Sequence, residues 1–292
     1  MTRALNSRWN CPLAALFGLI LSLLNSPACN AESGPALPVI TLYGDNNYFP
    51  YSYEEGGKMK GLYTQMLLEI AKLVPDYHIE LKPIPWKRGL LLIEQGSILG
   101  LYPPYRLENT RFYMRPYSQP LFKEAVTIFC SAGTFQTTGS KQWPEDFIGL
   151  TIATNLGFSL LDSDFWKPVE DGKIQRVEHA GNDENIMAVA ILNTADCYIN
   201  DRESVNTSYA RIQRKVITAN LKTKLLPLQE VLVVQEQEAV IGYSVKYLDR
   251  QPEYQAFVQA FDQAINTYRD SPAYHSLVKT FWGTLGQQTT SP

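Results

Sequence analysis

The stretch VITLYGDNNYFPYSYEEGGKMKGLYTQMLLEIAKLVPDYHIELKPIPWKRGLLLIEQGSILGLY, residues 39–102, alternates short apolar runs with helical periods. Residues 39–43 read as a strand, followed by a loop rich in Asn, Pro and Tyr. From there Tyr63, Met66, Leu67, Ile70 and Val74 recur at helical spacing until Pro75 stops the run. Ile79, Leu81 and Pro83 alternate with polar neighbours as in a strand, residues 87–95 read as a short helix, and residues 98–102 as another strand. Strand, helix, strand in sequence is the mark of α/β architecture with largely parallel pairing.

The pattern repeats downstream. Strands are expected over 126–130, 150–154, 174–177 and 196–200, with a helix over 184–192. Near the end, Tyr254, Phe257, Val258, Phe261, Ile265 and Tyr268 form one helical stripe. A last helix over 272–283 places Tyr274, Leu277, Val278 and Phe281 together, before a polar tail. Apolar helical stripes of this kind belong to a core.

At the start, Arg3 and Arg8 precede an apolar run of a dozen residues, and small residues follow at Ala28 and Ala31. These are the parts of a secretory signal, residues 1–31, and the run falls short of the ~20 residues a membrane-spanning helix needs. The chain is thus expected in the periplasm. Cys29, after Ser26-Pro27-Ala28, faintly resembles a lipoprotein box and leaves a lipid anchor as the alternative. Removing the signal leaves about 260 of the 292 residues, enough for one large domain or two lobes. Hydrophobic residues at 45% allow a full core. The net charge of −3 becomes −5 without Arg3 and Arg8, and no basic stripe invites nucleic acid. Cys130 and Cys197 remain outside the leader, either bridged or packed as small apolar thiols.

No Gly-rich phosphate loop, Cys-x-x-Cys, nucleophile elbow or His-x-x-x-His pair is present. His78, His179 and His275 stand far apart, without acidic or thiol companions, and read as surface or capping residues. No cofactor, metal or catalytic set is indicated, so the chain is not read as an enzyme.

Loops pair aromatic residues with Gly and Pro: Tyr48-Phe49-Pro50-Tyr51, Gly56-Gly57, Gly61, Pro85-Trp86-Lys87-Arg88, and Tyr102-Pro103-Pro104-Tyr105. Glu108-Asn109-Thr110-Arg111 then stands six residues before Tyr117-Ser118-Gln119-Pro120. In order and spacing this resembles the family 3 extracellular solute-binding proteins, the periplasmic receptors of polar amino-acid ABC transporters. The resemblance implies a type II periplasmic binding protein fold, α/β, with two lobes joined by two crossing strands and a ligand cleft between them. Lobe one would comprise residues 36–125 and 239–287, lobe two residues 126–238, and residues 288–292 a polar tail. Arg111 matches the arginine that forks onto a ligand carboxylate, a task suited to a planar guanidinium. Asp201 matches the acid that takes the ligand ammonium. Tyr48 and Tyr51 match residues lining the cleft, and Ser159 in Gly157-Phe158-Ser159 matches a carboxylate-binding turn. Trp86, Arg88 and Tyr102 add aromatic and basic character.

Some positions depart from the pattern. Pro104 and Arg106 stand where small hydroxyl residues or glycines are usual; proline has no amide hydrogen, and Arg106 would add bulk and charge at the cleft edge. Gln65 replaces an aspartate. The implied ligand is therefore a small anionic or zwitterionic solute, captured by a monomeric receptor and delivered to an inner-membrane ABC permease. A solute-sensing subunit for a membrane signalling protein is the alternative. A periplasmic cyclohexadienyl or arogenate dehydratase on the same scaffold is the third reading; the cleft motifs show no acid pair to serve it.

Overall fold

The computed structural model describes residues 37–290 apart from 136–138, 140 and 221. The expected signal, with Cys11 and Cys29, lies outside the described residues, as do residues 291 and 292. Two five-stranded sheets organise the rest.

The first sheet holds β1 (Val39–Asp45), β5 (His78–Ile84), β6 (Gly100–Tyr102), β7 (Met114–Tyr117) and β13 (Gly242–Ser244) in the order β5-β1-β6-β13-β7. Strands β5, β1 and β6 run parallel, as the alternation in residues 39–102 predicts, and β13 enters antiparallel from near the chain's end. Helices α1 (Leu62–Ala71) and α2 (Trp86–Gln95) make the crossovers. The Asn- and Tyr-rich loop also contains a small antiparallel sheet: β2 (Asn47–Tyr48), β3 (Ser52–Glu55) and β4 (Lys58–Lys60).

The second sheet takes β8 (Phe122–Ser131), β9 (Thr151–Asn155), β10 (Gln175–His179), β11 (Cys197–Asp201) and β12 (Leu228–Ala239) in the order β10-β9-β11-β8-β12. Around it pack α3 (Ser163–Glu170), α4 (Asn182–Met187) and α5 (Arg202–Thr218). Strands β8 and β12 pair antiparallel from Phe122↔Ala239 to Ser131↔Leu228 and link the two sheets. These are the two crossing strands, and the architecture is the expected pair of α/β lobes. Cys130 and Cys197 face each other on β8 and β11 and are joined by a disulfide.

The chain ends with α6 (Val245–Arg250), α7 (Tyr254–Arg269) and α8 (Pro272–Thr290). Helix α7 buries Phe257, Val258, Phe261, Ala264, Ile265 and Tyr268, the stripe expected of it. Burying each large apolar side chain contributes roughly 1.5–3 kcal/mol, so this face anchors the first lobe.

Three expectations need correction. Helix α8 continues to Thr290 rather than stopping near Gly283, because glycines inside a helix that packs on α1, α5 and α7 lower its stability without breaking it. The helix expected over 184–192 divides into α4 and a π-helical turn, Ala188–Leu192, that ends at Asn193 in the left-handed region. Helix α5 is absent from the expected elements: its apolar stripe is thin, with only Val205 and Ile212 buried among many polar residues. Among the described residues no helix is long and apolar enough to cross a membrane, and no cluster of His, Cys, Asp and Glu could hold a metal ion.

Candidate functional site

Arg111 closes a tight turn in which its own amide and that of Thr110 both donate to the Leu107 carbonyl at 3.1 Å. The turn aims the side chain inward, where it is 3% exposed. Its Nη2 donates to the Gly157 carbonyl of the second lobe at 3.3 Å, and its guanidinium lies 5.4 Å from the Trp86 ring centre. Trp86 opens α2 directly after Pro85, and its Nε1 donates to the same Gly157 oxygen at 3.2 Å. Among the described residues no carboxylate pairs with Arg111, and burial pulls its pKa down. A guanidinium has five N–H donors, and a buried cation without a counter-ion is costly. The geometry therefore presents an anion-binding group in a dry place.

Asp45 ends β1 and is 3% exposed. One oxygen accepts the Asn47 amide at 2.9 Å, and burial pushes the carboxyl up to about 7. Asp45 and Arg111 line one small cavity with Tyr48 and Trp86 from the first lobe and Phe158 and Ser159 from the second. Its volume of about 20 Å³ is room for one water molecule. The reason is Phe158. Its ring meets Tyr48 at 5.3 Å and Trp86 at 5.7 Å, both edge-on, so the second lobe's turn is inserted between the first lobe's aromatic walls.

Behind the cavity lies a layer of buried acids held by tyrosines. Glu124, on the crossing strand β8, accepts hydroxyls from Tyr48, Tyr63 and, at 2.6 Å, Tyr105. Asp201 caps α5 through the Ser204 amide at 2.8 Å and also accepts the Tyr51 hydroxyl at 2.9 Å and the Ala125 amide at 3.1 Å. Burial raises the pKa of both carboxyls; the charge of Glu124 raises Asp201 further, while the three hydroxyls hold Glu124 down. Glu124 and Asp201 sit on neighbouring strands, but as a pair buried behind the cavity rather than lining it. The missed signal was an acid directly before the apolar run of the crossing strand, Ala125 to Cys130.

The predicted site residues separate into two groups. Arg111, Tyr48, Trp86 and Ser159 meet at the cavity, together with Pro104. The others lie elsewhere. Tyr51 stands behind it, stacked on Tyr63 at 5.1 Å and edge-on to Trp282 at 5.8 Å. Tyr102 is core of the first lobe, fully buried, and its ring lies where a Cβ on Gly44 would have to stand. Arg88 is exposed on α2, and Asp201 spends its oxygens on protein donors. Arg106 does not crowd the cleft: it reaches away to the Ser118 carbonyl at 2.8 Å. Gln65 is exposed on α1. Sequence reasoning missed Asp45, Glu124, Tyr63 and Tyr105.

No protein-family model and no curated protein matches the chain. Solved structures do. A histidine kinase sensor domain described as similar to periplasmic binding proteins superposes with a TM-score of 0.65 at 16% identity, covering 85% of this chain and 97% of its own. A structure from work on glutathione import through GshT and a cystine ABC importer of Streptococcus mutans gives 0.65 at 14%, covering 85% and 96%. The arginine-, lysine-, histidine-binding protein ArtJ of Geobacillus stearothermophilus gives 0.60 at 17%, covering 84% and 95%. With two α/β lobes, two crossing strands and a cleft between them, the chain has the type II periplasmic binding protein fold.

Proposed function

We propose that the chain is an exported receptor that captures a small zwitterionic, amino-acid-like solute and delivers it to an inner-membrane ABC permease. The observation that carries this reading is the buried guanidinium of Arg111, without a carboxylate partner, in one cavity with the carboxyl of Asp45. In this reading Arg111 takes the solute carboxylate, with the Ser159 turn opposite, and deprotonated Asp45 takes the ammonium. Tyr48 and Trp86 cover the apolar part. A larger cavity forms when the lobes, residues 36–125 with 239–287 and residues 126–238, turn apart about β8 and β12. The signal at residues 1–31 and the periplasmic location belong to this reading, with Cys29 as the site of any lipid tether.

The test is a thermal-shift screen of amino acids, polyamines and organic acids, since a ligand that binds only the folded state raises its apparent stability. A zwitterion should raise the melting temperature of the wild type and not of Arg111→Ala. An equal shift in both would remove the carboxylate clamp.

The histidine kinase sensor domain among the structural neighbours supports a second reading, in which the same capture reports to a membrane signalling protein. Binding of the purified chain to a permease complex or to a sensor's outer domain distinguishes the two. A fourth structural neighbour, an ancestral amino-acid-binding protein described as a precursor of cyclohexadienyl dehydratase, superposes at a TM-score of 0.59 and 15% identity. It keeps the enzymatic reading open to one assay: release of an aromatic product from prephenate or arogenate.

A further inference from the structure

A second junction between the lobes lies outside the solute cavity. The first-lobe loop around Phe49 fits into a cup on the second lobe formed by Gly181, Asn182, Ser204 and Arg211. The Phe49 carbonyl accepts the Asn182 side-chain Nδ2 at 2.9 Å and the Ser204 hydroxyl at 2.7 Å. The Arg211 guanidinium lies 4.0 Å from the Phe49 ring centre and is held there by Asp183 at 2.5 Å. At the rim, Gly181 approaches Asn47 so closely that a Cβ would collide with the Asn47 side-chain nitrogen, Nδ2.

The cup is stiff because of what stands behind it. Asn182 is 2% exposed, and its side-chain oxygen accepts from Asn155 at 3.0 Å and Asn200 at 3.1 Å and lies 2.8 Å from the Tyr198 hydroxyl. Asn185 ties Asn155 to His179. These partners fix the Asn182 amide so that its hydrogens point at Phe49 and Ser204. In this network the Asn200 side-chain oxygen lacks a partner among the described residues, and the remaining hydrogen bonds hold the Asn182 side chain in place.

We propose that this junction is a latch: Phe49, gripped by Asn182, Ser204 and Arg211, holds the lobes closed independently of any solute. None of the four residues lines the cavity, so they act as positioning residues and set how often the closed form is populated. The binding-competent fraction of a receptor scales its apparent affinity. The latch thus tunes solute affinity without touching the solute, and it holds whether or not the solute is an amino acid.

Small-angle X-ray scattering of the purified protein with no added solute tests it. The wild type should match the closed structure. The double variant Ser204→Ala, Arg211→Ala should scatter with a larger radius of gyration, its closed-to-open ratio falling about fivefold or more for each of the two interactions removed. Arg211→Lys, which keeps a cation over the ring, should stay closer to the wild type. Far-UV circular dichroism checks folding. Should the double variant not fold, Phe49→Ala leaves the second lobe untouched and should open the protein, because no ring then fills the cup. A compact scattering profile for a folded latch variant, or an open one for the wild type, overturns the proposal.

Discussion

The two lobes meet in the cleft with different chemistry. The first brings charge and titratable groups: Arg111, Asp45, and the tyrosines that converge on Glu124. The second brings neutral ones: the Gly157 carbonyl, Phe158 and Ser159, backed by buried asparagines. Amides hydrogen-bond without changing charge, so the second lobe's asparagine network is indifferent to pH, whereas the carboxyls of Asp45 and Glu124, and that of Asp201 at the end of β11, are held above their ordinary range. The charged groups that line the cavity thus stand on one side, and shape and grip on the other.

The sharpest way to break this division is at Arg111. Its replacement by Ala should weaken binding of a zwitterion by about 3–6 kcal/mol, two charge-assisted bonds of roughly 1.5–3 kcal/mol each, measured by calorimetry. Arg111→Met should do the same to binding yet raise the urea midpoint, because it removes a buried cation that has no counter-ion. A lower midpoint would mean that the guanidinium stabilises the closed fold.

Next comes the disulfide, which belongs to the second lobe alone. Closing the 67-residue separation between Cys130 and Cys197 should contribute about 4 kcal/mol in the loop-entropy account. Cys130→Ala with Cys197→Ala should lower the denaturation midpoint by that order, and hydrogen exchange should rise across β8–β12 more than across β1, β5 and β6. Equal loosening of both sheets would contradict the separation of the lobes.

The first lobe's pH response follows from Asp45. Its folded-state pKa of about 7 lies above the unfolded value of 3.8, so the folded protein holds the proton longer. The associated stability is complete below about pH 4 and is lost as pH rises towards 7, at up to ~1.4 kcal/mol per unit, then levels off. Glu124, and Asp201 from the second lobe, act in the same direction. Urea midpoints from pH 4.5 to 8 should show this slope, reduced in Asp45→Asn. Zwitterion binding should run the other way and strengthen through pH 7 as the carboxylate forms. The smallest effect is expected in the second lobe. Tyr198→Phe removes one hydroxyl from the amide network and should cost about 1 kcal/mol at every pH.

The fold was largely legible because strand-helix-strand alternation and the α7 stripe are properties of local sequence. Strand β12 was not, since residues 228–239 mix Val and Leu with Gln and Glu and carry two register shifts against β8. The residues expected at the cleft came from the family resemblance, and the structure brings some of them to one cavity. Trp86 after Pro85 and Arg111 in a tight turn both meet at the cavity. Asp45 was hidden because Gly44-Asp45-Asn46-Asn47 reads as an ordinary turn, and Glu124 because an acid in a strand reads as solvent-facing. Tyr102-Pro103-Pro104-Tyr105 shows the limit most clearly. Two tyrosines three residues apart point in different directions, one into the core and one to Glu124, and only the path of the chain through the prolines decides which.

The bridge between Cys130 and Cys197 has a mechanical meaning as well. Strand β11 begins at Cys197 and ends at Asp201, which grips Ala125 on β8, so β8 and β11 are riveted at one end and clasped at the other. If the lobes turn apart as proposed, bending would be confined to the few residues of β8 before Ala125 and their partners near Ala239. The second lobe would then turn as a lever with a short fulcrum, carrying the Gly157 carbonyl away from Arg111 and Trp86.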